Sequence, residues 1–179
     1  MKKIFLFLTL ASAVLITSCT GDPGPQGPPG GLEYAKIFEA NVNGYSYDAR
    51  YNQLYSNNFS FPFTVYESDV VLAYRLSGSD NSVSPPADVW TQLPQSKYYF
   101  GEDGTADIFQ YNFNHTFFDV QFTIEGNFPL NNIDPADTQN QIFRIAVVPS
   151  EFARTNPSME KLLEVMQTTD SDIQIIEPK

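Results

Sequence analysis

One histidine and one cysteine stand in a chain of 179 residues, which narrows the available chemistry at once. A Ser–His–Asp triad would have to use His115, placed between Asn114 and Thr116 where a turn is expected, and no G-x-S-x-G elbow accompanies it. A lone His builds no multi-His metal centre. A lone Cys excludes both an internal disulfide and a zinc site of several thiolates. Carboxylates are plentiful, and two at a suitable separation would hydrolyse a glycoside, but no spacing among the 21 acids singles out a pair. Gly101-Glu102-Asp103-Gly104-Thr105-Ala106-Asp107 sets three acids in a glycine-containing loop, so Glu102, Asp103 and Asp107 are weak candidates for calcium. Asn131 to Asp137 is a second acidic loop, and neither fits the twelve-residue helix-loop-helix pattern. Rings offer another chemistry. Tyr45, Tyr47, Tyr51 and Tyr55 lie among Asn43, Asn52, Asn57 and Asn58, a pattern that suits either a wet sugar-stacking surface or the interior of a sandwich; Trp90 has the same two uses. No cofactor is expected.

Composition sets the surroundings of these residues. The chain is 42% hydrophobic and 15% aromatic with only 17% charged residues, which excludes a disordered acidic polymer. A net charge of −11 argues against nucleic acid as a partner, because phosphate binding needs clustered Lys and Arg.

Met1-Lys2-Lys3 followed by the apolar run Ile4 to Ile16 has the size of a signal-peptide core rather than a spanning helix. It ends in Leu15-Ile16-Thr17-Ser18-Cys19, which resembles the bacterial lipobox. The resemblance implies that residues 1–18 are a removed signal peptide and that Cys19 carries diacylglycerol through a thioether and an acyl group on its new amine. At about 0.8 kcal/mol per buried methylene, several such chains hold a protein stably on a bilayer. Thr20 replaces the Asp that favours inner-membrane retention in enterobacteria, so the outer membrane is the expected address.

Gly21-Asp22-Pro23-Gly24-Pro25-Gln26-Gly27-Pro28-Pro29-Gly30-Gly31 then repeats Gly every third residue through three triplets and resembles collagen. Residues 19–31 are therefore read as the lipidated Cys plus a Pro/Gly stalk. Three triplets are too few to hold a triple helix alone, so a semi-rigid spacer on a monomer is expected, with a trimer as the alternative.

Residues 32–179 must make the globule, and their dominant period is two, the mark of half-buried strands. Phe59, Phe61, Phe63 and Val65 alternate with polar neighbours, although Pro62 confines that strand to an edge or a bulge. Leu32, Tyr34, Phe38, Ala40 and Val42 share a face of an earlier strand. Residues 106–114 and 116–125 form a hairpin turning at Asn114-His115. Val70 to Leu76 and Ile142 to Val148 read as central strands covered on both faces. Met159, Leu162, Leu163 and Met166 have helical spacing, with Asn156 as cap and Pro157 at the first helical position. Ile173 to Ile176 adds a last strand. The fold expected is an all-β antiparallel sandwich, Ig-like or similar, with one short C-terminal helix.

The lipobox, the G-P-Q-G-P-P stalk, Ala73-Tyr74-Arg75-Leu76, Trp90-Thr91-Gln92-Leu93-Pro94-Gln95 and Phe143-Arg144-Ile145-Ala146-Val147-Val148-Pro149 together resemble small collagen-like lipoproteins of the Bacteroidota. The resemblance implies envelope anchoring and brings no established activity with it. Dehydrogenase names attached to some members find no support in these residues, since there is neither a G-x-G-x-x-G turn nor a second Cys. The function expected is a non-enzymatic structural or adhesive lipoprotein with an unidentified protein or glycan partner. The alternatives are a glycan-binding accessory lipoprotein using Tyr45, Tyr47, Tyr51 and Trp90, and then a carboxylate-dependent hydrolase.

Overall fold

Alternating and continuous apolar runs sort the strands into two sheets. The computed structural model describes residues 36–101, 104–166 and 172–179. All of them lie in the compact unit Leu32–Lys179. The expected signal peptide, Cys19 and the expected stalk fall outside the described residues. Eleven strands are described: β1 Lys36–Val42, β2 Ser46–Asp48, β3 Gln53–Tyr55, β4 Phe59–Ser60, β5 Asp69–Asp80, β6 Ala87–Gln92, β7 Gln95–Phe100, β8 Ala106–His115, β9 Asp119–Gly126, β10 Gln141–Pro149 and β11 Gln174–Ile176. The first sheet has the order β11-β1-β10-β5-β6, and the second β2-β3-β9-β8-β7 with β4 also on β9. Pairing is antiparallel except between β1 and β11. The protein is an all-β sandwich with short helices.

Inward residues of both sheets make one core. Phe38, Ala40, Ala73, Phe143 and Ile145 from the first sheet meet Phe109, Tyr111, Val120, Phe122 and Ile124 from the second, all nearly inaccessible to water. Phe122 and Phe143 stack across the gap with centroids 3.9 Å apart and planes 14° from parallel. The runs Val70 to Leu76 and Ile142 to Val148 are neighbouring strands at the middle of the first sheet, as their apolar continuity requires. The outer face of that sheet is closed by helix α1 (Ser150–Ala153) and helix α2 (Met159–Met166). Met159 and Leu162 pack with Tyr74, Ala146 and Val148 in a second cluster, and the Tyr74 hydroxyl donates to the Pro157 carbonyl at 2.5 Å.

Three local expectations are corrected. The hairpin turns at Thr116 to Phe118, not Asn114-His115, because β8 runs on until His115 pairs with Val120. The Thr116 hydroxyl closes that turn by donating to Asp119 while accepting from the Phe118 and Asp119 amides. Asn156 does not cap α2; it sits at φ +49°, and the Ser158 hydroxyl accepts from the Lys161 amide instead. Phe59, Phe61 and Val65 are buried as their alternation implies, but the strand ends at Ser60, before Pro62.

Candidate functional site

The tyrosines at 45, 47, 51 and 55 do not share a surface. Tyr45 packs onto the main core, and its hydroxyl is buried with no hydrogen-bond partner among the described residues. Burial, then the nearby Tyr111, push its pKa up, against the opposing pull of Arg75. Tyr45 also lines a cavity of about 610 Å³ with Asn43, Ser56 and Glu177. Tyr47 donates to the Asn52 side chain, Tyr51 is 66% exposed beneath Arg50, and Tyr55 reaches back to Asp48. Trp90 is half-buried under the Arg144 guanidinium, 4.1 Å from its centroid, and Arg144 is paired with Glu39 at 2.7 Å. Trp90 also packs against the Tyr74, Met159 and Leu162 cluster, so its ring is taken up by the fold as well as by Arg144.

The acidic candidates separate in the same way. Glu102 and Asp103 lie outside the described residues, and Asp107 is an exposed residue of β8 opposite Tyr99. Among the described residues no three His, Cys, Asp or Glu side chains gather as metal ligands would. Asp134 caps a short 3-10 turn through the Ala136 amide. Asp137 is buried and accepts from Lys97, Tyr99 and Tyr111. Burial alone would raise its pKa, but these donors, Lys97 foremost, hold the carboxyl below its ordinary value. Such a group stays ionised and locks the connection between β9 and β10 to β7. It is the reverse of a general acid. His115 is exposed and lies parallel to Phe113, away from any buried acid.

The accessible chemistry lies on the outer face of the second sheet. Gln53 of β3, Glu125 of β9, Gln110 of β8 and Ser96 of β7 stand directly opposite one another, strand to strand. They form one polar row across four strands. Gln53 donates to Glu125 at 2.8 Å and Gln110 to Ser96 at 3.1 Å. Two shallow grooves of about 370 and 450 Å³ meet on this row and share Glu125 and Gly126; Tyr51 borders the first and Ile108 the second. Beyond Ser96, strand parity turns Tyr98 and Phe100 outward, 53% and 79% exposed, with ring planes 13° from parallel.

Local sequence explains why the face is held still. Lys97 and Tyr99 point inward to Asp137, so their neighbours must point out. Asn52, at φ +49°, donates to the Phe128 carbonyl and accepts from the Leu130 amide, tying Tyr51 and its turn to the end of β9. Asn127 accepts from the Ile108 amide at 2.7 Å and ties the start of β8. At Gly126 a Cβ would come 2.9 Å from the Leu130 side chain and 3.1 Å from the Ile108 carbonyl, so any larger residue would push Leu130 or β8 aside. Sequence reasoning missed β7 and with it Tyr98 and Phe100. The signal was present in Ser96, Tyr98 and Phe100 alternating with Lys97 and Tyr99, although Lys on the inward parity disguised it.

No protein-family model, no curated protein and no solved structure matches this chain.

Proposed function

We propose that this is a lipid-anchored cell-envelope protein whose sandwich binds a partner without catalysing a reaction. Cys19 carries the lipid, residues 20–31 space the domain from the bilayer, and the outer membrane is the site of anchoring. The resemblance of the first 31 residues to a lipobox and a collagen-like stalk supports the placement. Among the described residues no helix is long and apolar enough to cross a membrane, so a membrane attachment through helices would have to come from elsewhere in the chain. The single observation that carries the binding role is the open face of the second sheet, where hydrogen-bonding side chains and exposed rings stand together on rigid strands. The engagement of Asp137 by three donors supports a non-catalytic reading of the one buried acid among the described residues.

Growth with a labelled fatty acid tests the anchor: the wild-type chain takes up label and fractionates with membranes, while Cys19→Ala does neither. An unlabelled wild-type chain released to the medium overturns it. Binding of the detergent-solubilised protein to washed envelopes tests the second half, and no retention above a control protein would reject it.

A further inference from the structure

The polar row and the rings at its ends have a chemistry more specific than general stickiness. Four strands span the row from Gln53 to Ser96, and three interstrand steps of about 4.8 Å make it roughly 14 Å long. Side chains on it are amide, carboxylate and hydroxyl, and each Gln has more donors and acceptors than its one bond along the row uses. Such groups match the alternating donors and acceptors of vicinal hydroxyls. The exposed faces of Tyr98 and Phe100 at one end, and at the other the face of Tyr51 left uncovered by the Arg50 guanidinium, suit the polarised C–H bonds of a sugar ring. Charge selects further. The row holds one carboxylate and no cation, and the single Arg50 over Tyr51 at its end stands on a chain of net charge −11, so a polyanion is repelled.

We propose that this face binds an uncharged polysaccharide, laid across β3, β9, β8 and β7 between Tyr51 and Phe100. The proposal rests on the binding role inferred above and assigns its ligand class. It also differs from the ring set that the sequence suggested: Tyr45 and Trp90 are excluded by burial and by Arg144, and Tyr51 alone is retained. Open grooves of this kind accept the middle of a long chain rather than an end, because none of the described residues closes them. Packing of the opposite side of the same strands against the core keeps the row in register before the ligand arrives, which reduces the ordering cost of binding.

The test is electrophoresis of the whole detergent-solubilised protein through native gels holding xylan, mannan, mixed-linkage glucan or, as the anionic control, polygalacturonate. At least one neutral polymer retards the wild type and polygalacturonate does not. Tyr98→Ala, Phe100→Ala and Gln110→Ala each weaken retardation about tenfold, while Tyr98→Phe retains it, since the ring face does the binding. Tyr98 and Phe100 are exposed and Gln110 is half-buried on the outer face, so these variants should fold, and an unchanged thermal midpoint checks that. Retardation by polygalacturonate alone, by none of the four polymers, or equally in all variants overturns the proposal. If the protein then still binds washed envelopes, only the ligand class was wrong; if it binds neither, the binding role fails with it.

Discussion

The outer faces of the two sheets solve one problem in opposite ways. On the first, Ile37, Tyr74, Ala146 and Val148 are apolar in their ring or stem and are sealed by Phe152, Met159 and Leu162 from the short helices. On the second, Gln53, Glu125, Gln110 and Ser96 stand in the same geometric relation to their strands and none of the described residues covers them. The cause is written in β10 and β8. Every residue from Phe143 to Val148 is buried, so that strand needs partners on both sides. In β8, Phe109 and Tyr111 are buried while Ile108, Gln110 and Asn112 are wholly or partly accessible, so one face suffices. A covered face contributes stability, and an uncovered one is available for work.

The largest effect should come from opening the covered face. Leu162→Ala removes a fully buried side chain from the helix and should cost about 3 kcal/mol in urea unfolding, whereas Gln110→Ala should stay within about 0.5 kcal/mol. Equal losses would mean that the two faces do not differ in the way their burial indicates. Next, Asp137→Ala should cost about 2 kcal/mol and speed amide exchange across Gln95–Phe100, because Lys97 and Tyr99 lose a common acceptor while Tyr111 keeps the Asp137 backbone carbonyl at 2.8 Å. Its pKa is lower in the fold than in the unfolded chain, so this stabilisation is present above about pH 4 and is lost as the pH falls further. An acid titration in which wild type and variant converge below that point confirms the sign.

A smaller effect tests the seam between helix and sheet. Tyr74→Phe deletes the bond to the Pro157 carbonyl and should cost about 1 kcal/mol at neutral pH. Burial first, then Glu160, pushes the Tyr74 pKa up to about 12, so the stability it supplies persists to about pH 10 and fades as the pH climbs from there. Tyr74→Phe should therefore lose less between neutrality and pH 12 than the wild type, read from circular dichroism at each pH. Smallest of all, Glu125→Gln should shift the thermal midpoint by no more than about 2 °C while keeping the polar row. A large destabilisation would show that the row supports the fold and is not free for a ligand.

Legibility in the sequence followed burial. Period-two alternation in 116–125 and the continuous runs at 70–76 and 142–148 were readable because each side chain reports directly on which faces are covered. The helix at 159–166 was equally plain, since apolar residues at 159, 162, 163 and 166 fall on one side of a helix and on both sides of a strand. Turns were less readable. Asn114-His115 has turn composition, yet the ladder continues through it because the Thr116 side chain closes the four-residue turn Thr116–Asp119 just beyond. The candidate site was the least readable part. A tyrosine's type says nothing of its direction, and direction here depends on Asn52 gripping a loop some 76 residues away, a contact that no local pattern encodes. Lys97 misled for a similar reason: a cation on the inward side of β7 is tolerable only because Asp137 meets it from the far end of another connection.

The position of β1 has a mechanical meaning. Under the proposed anchoring, a drag force from the N-terminal side reaches β1, a strand flanked on both edges by β10 and β11. To peel that strand away, seven residue pairs with β10 and three with β11 would have to give. A load carried on the opposite sheet would be transmitted to them through interlocked rings such as Phe122 and Phe143. Under that anchoring, the load therefore falls on a strand that is paired along both edges.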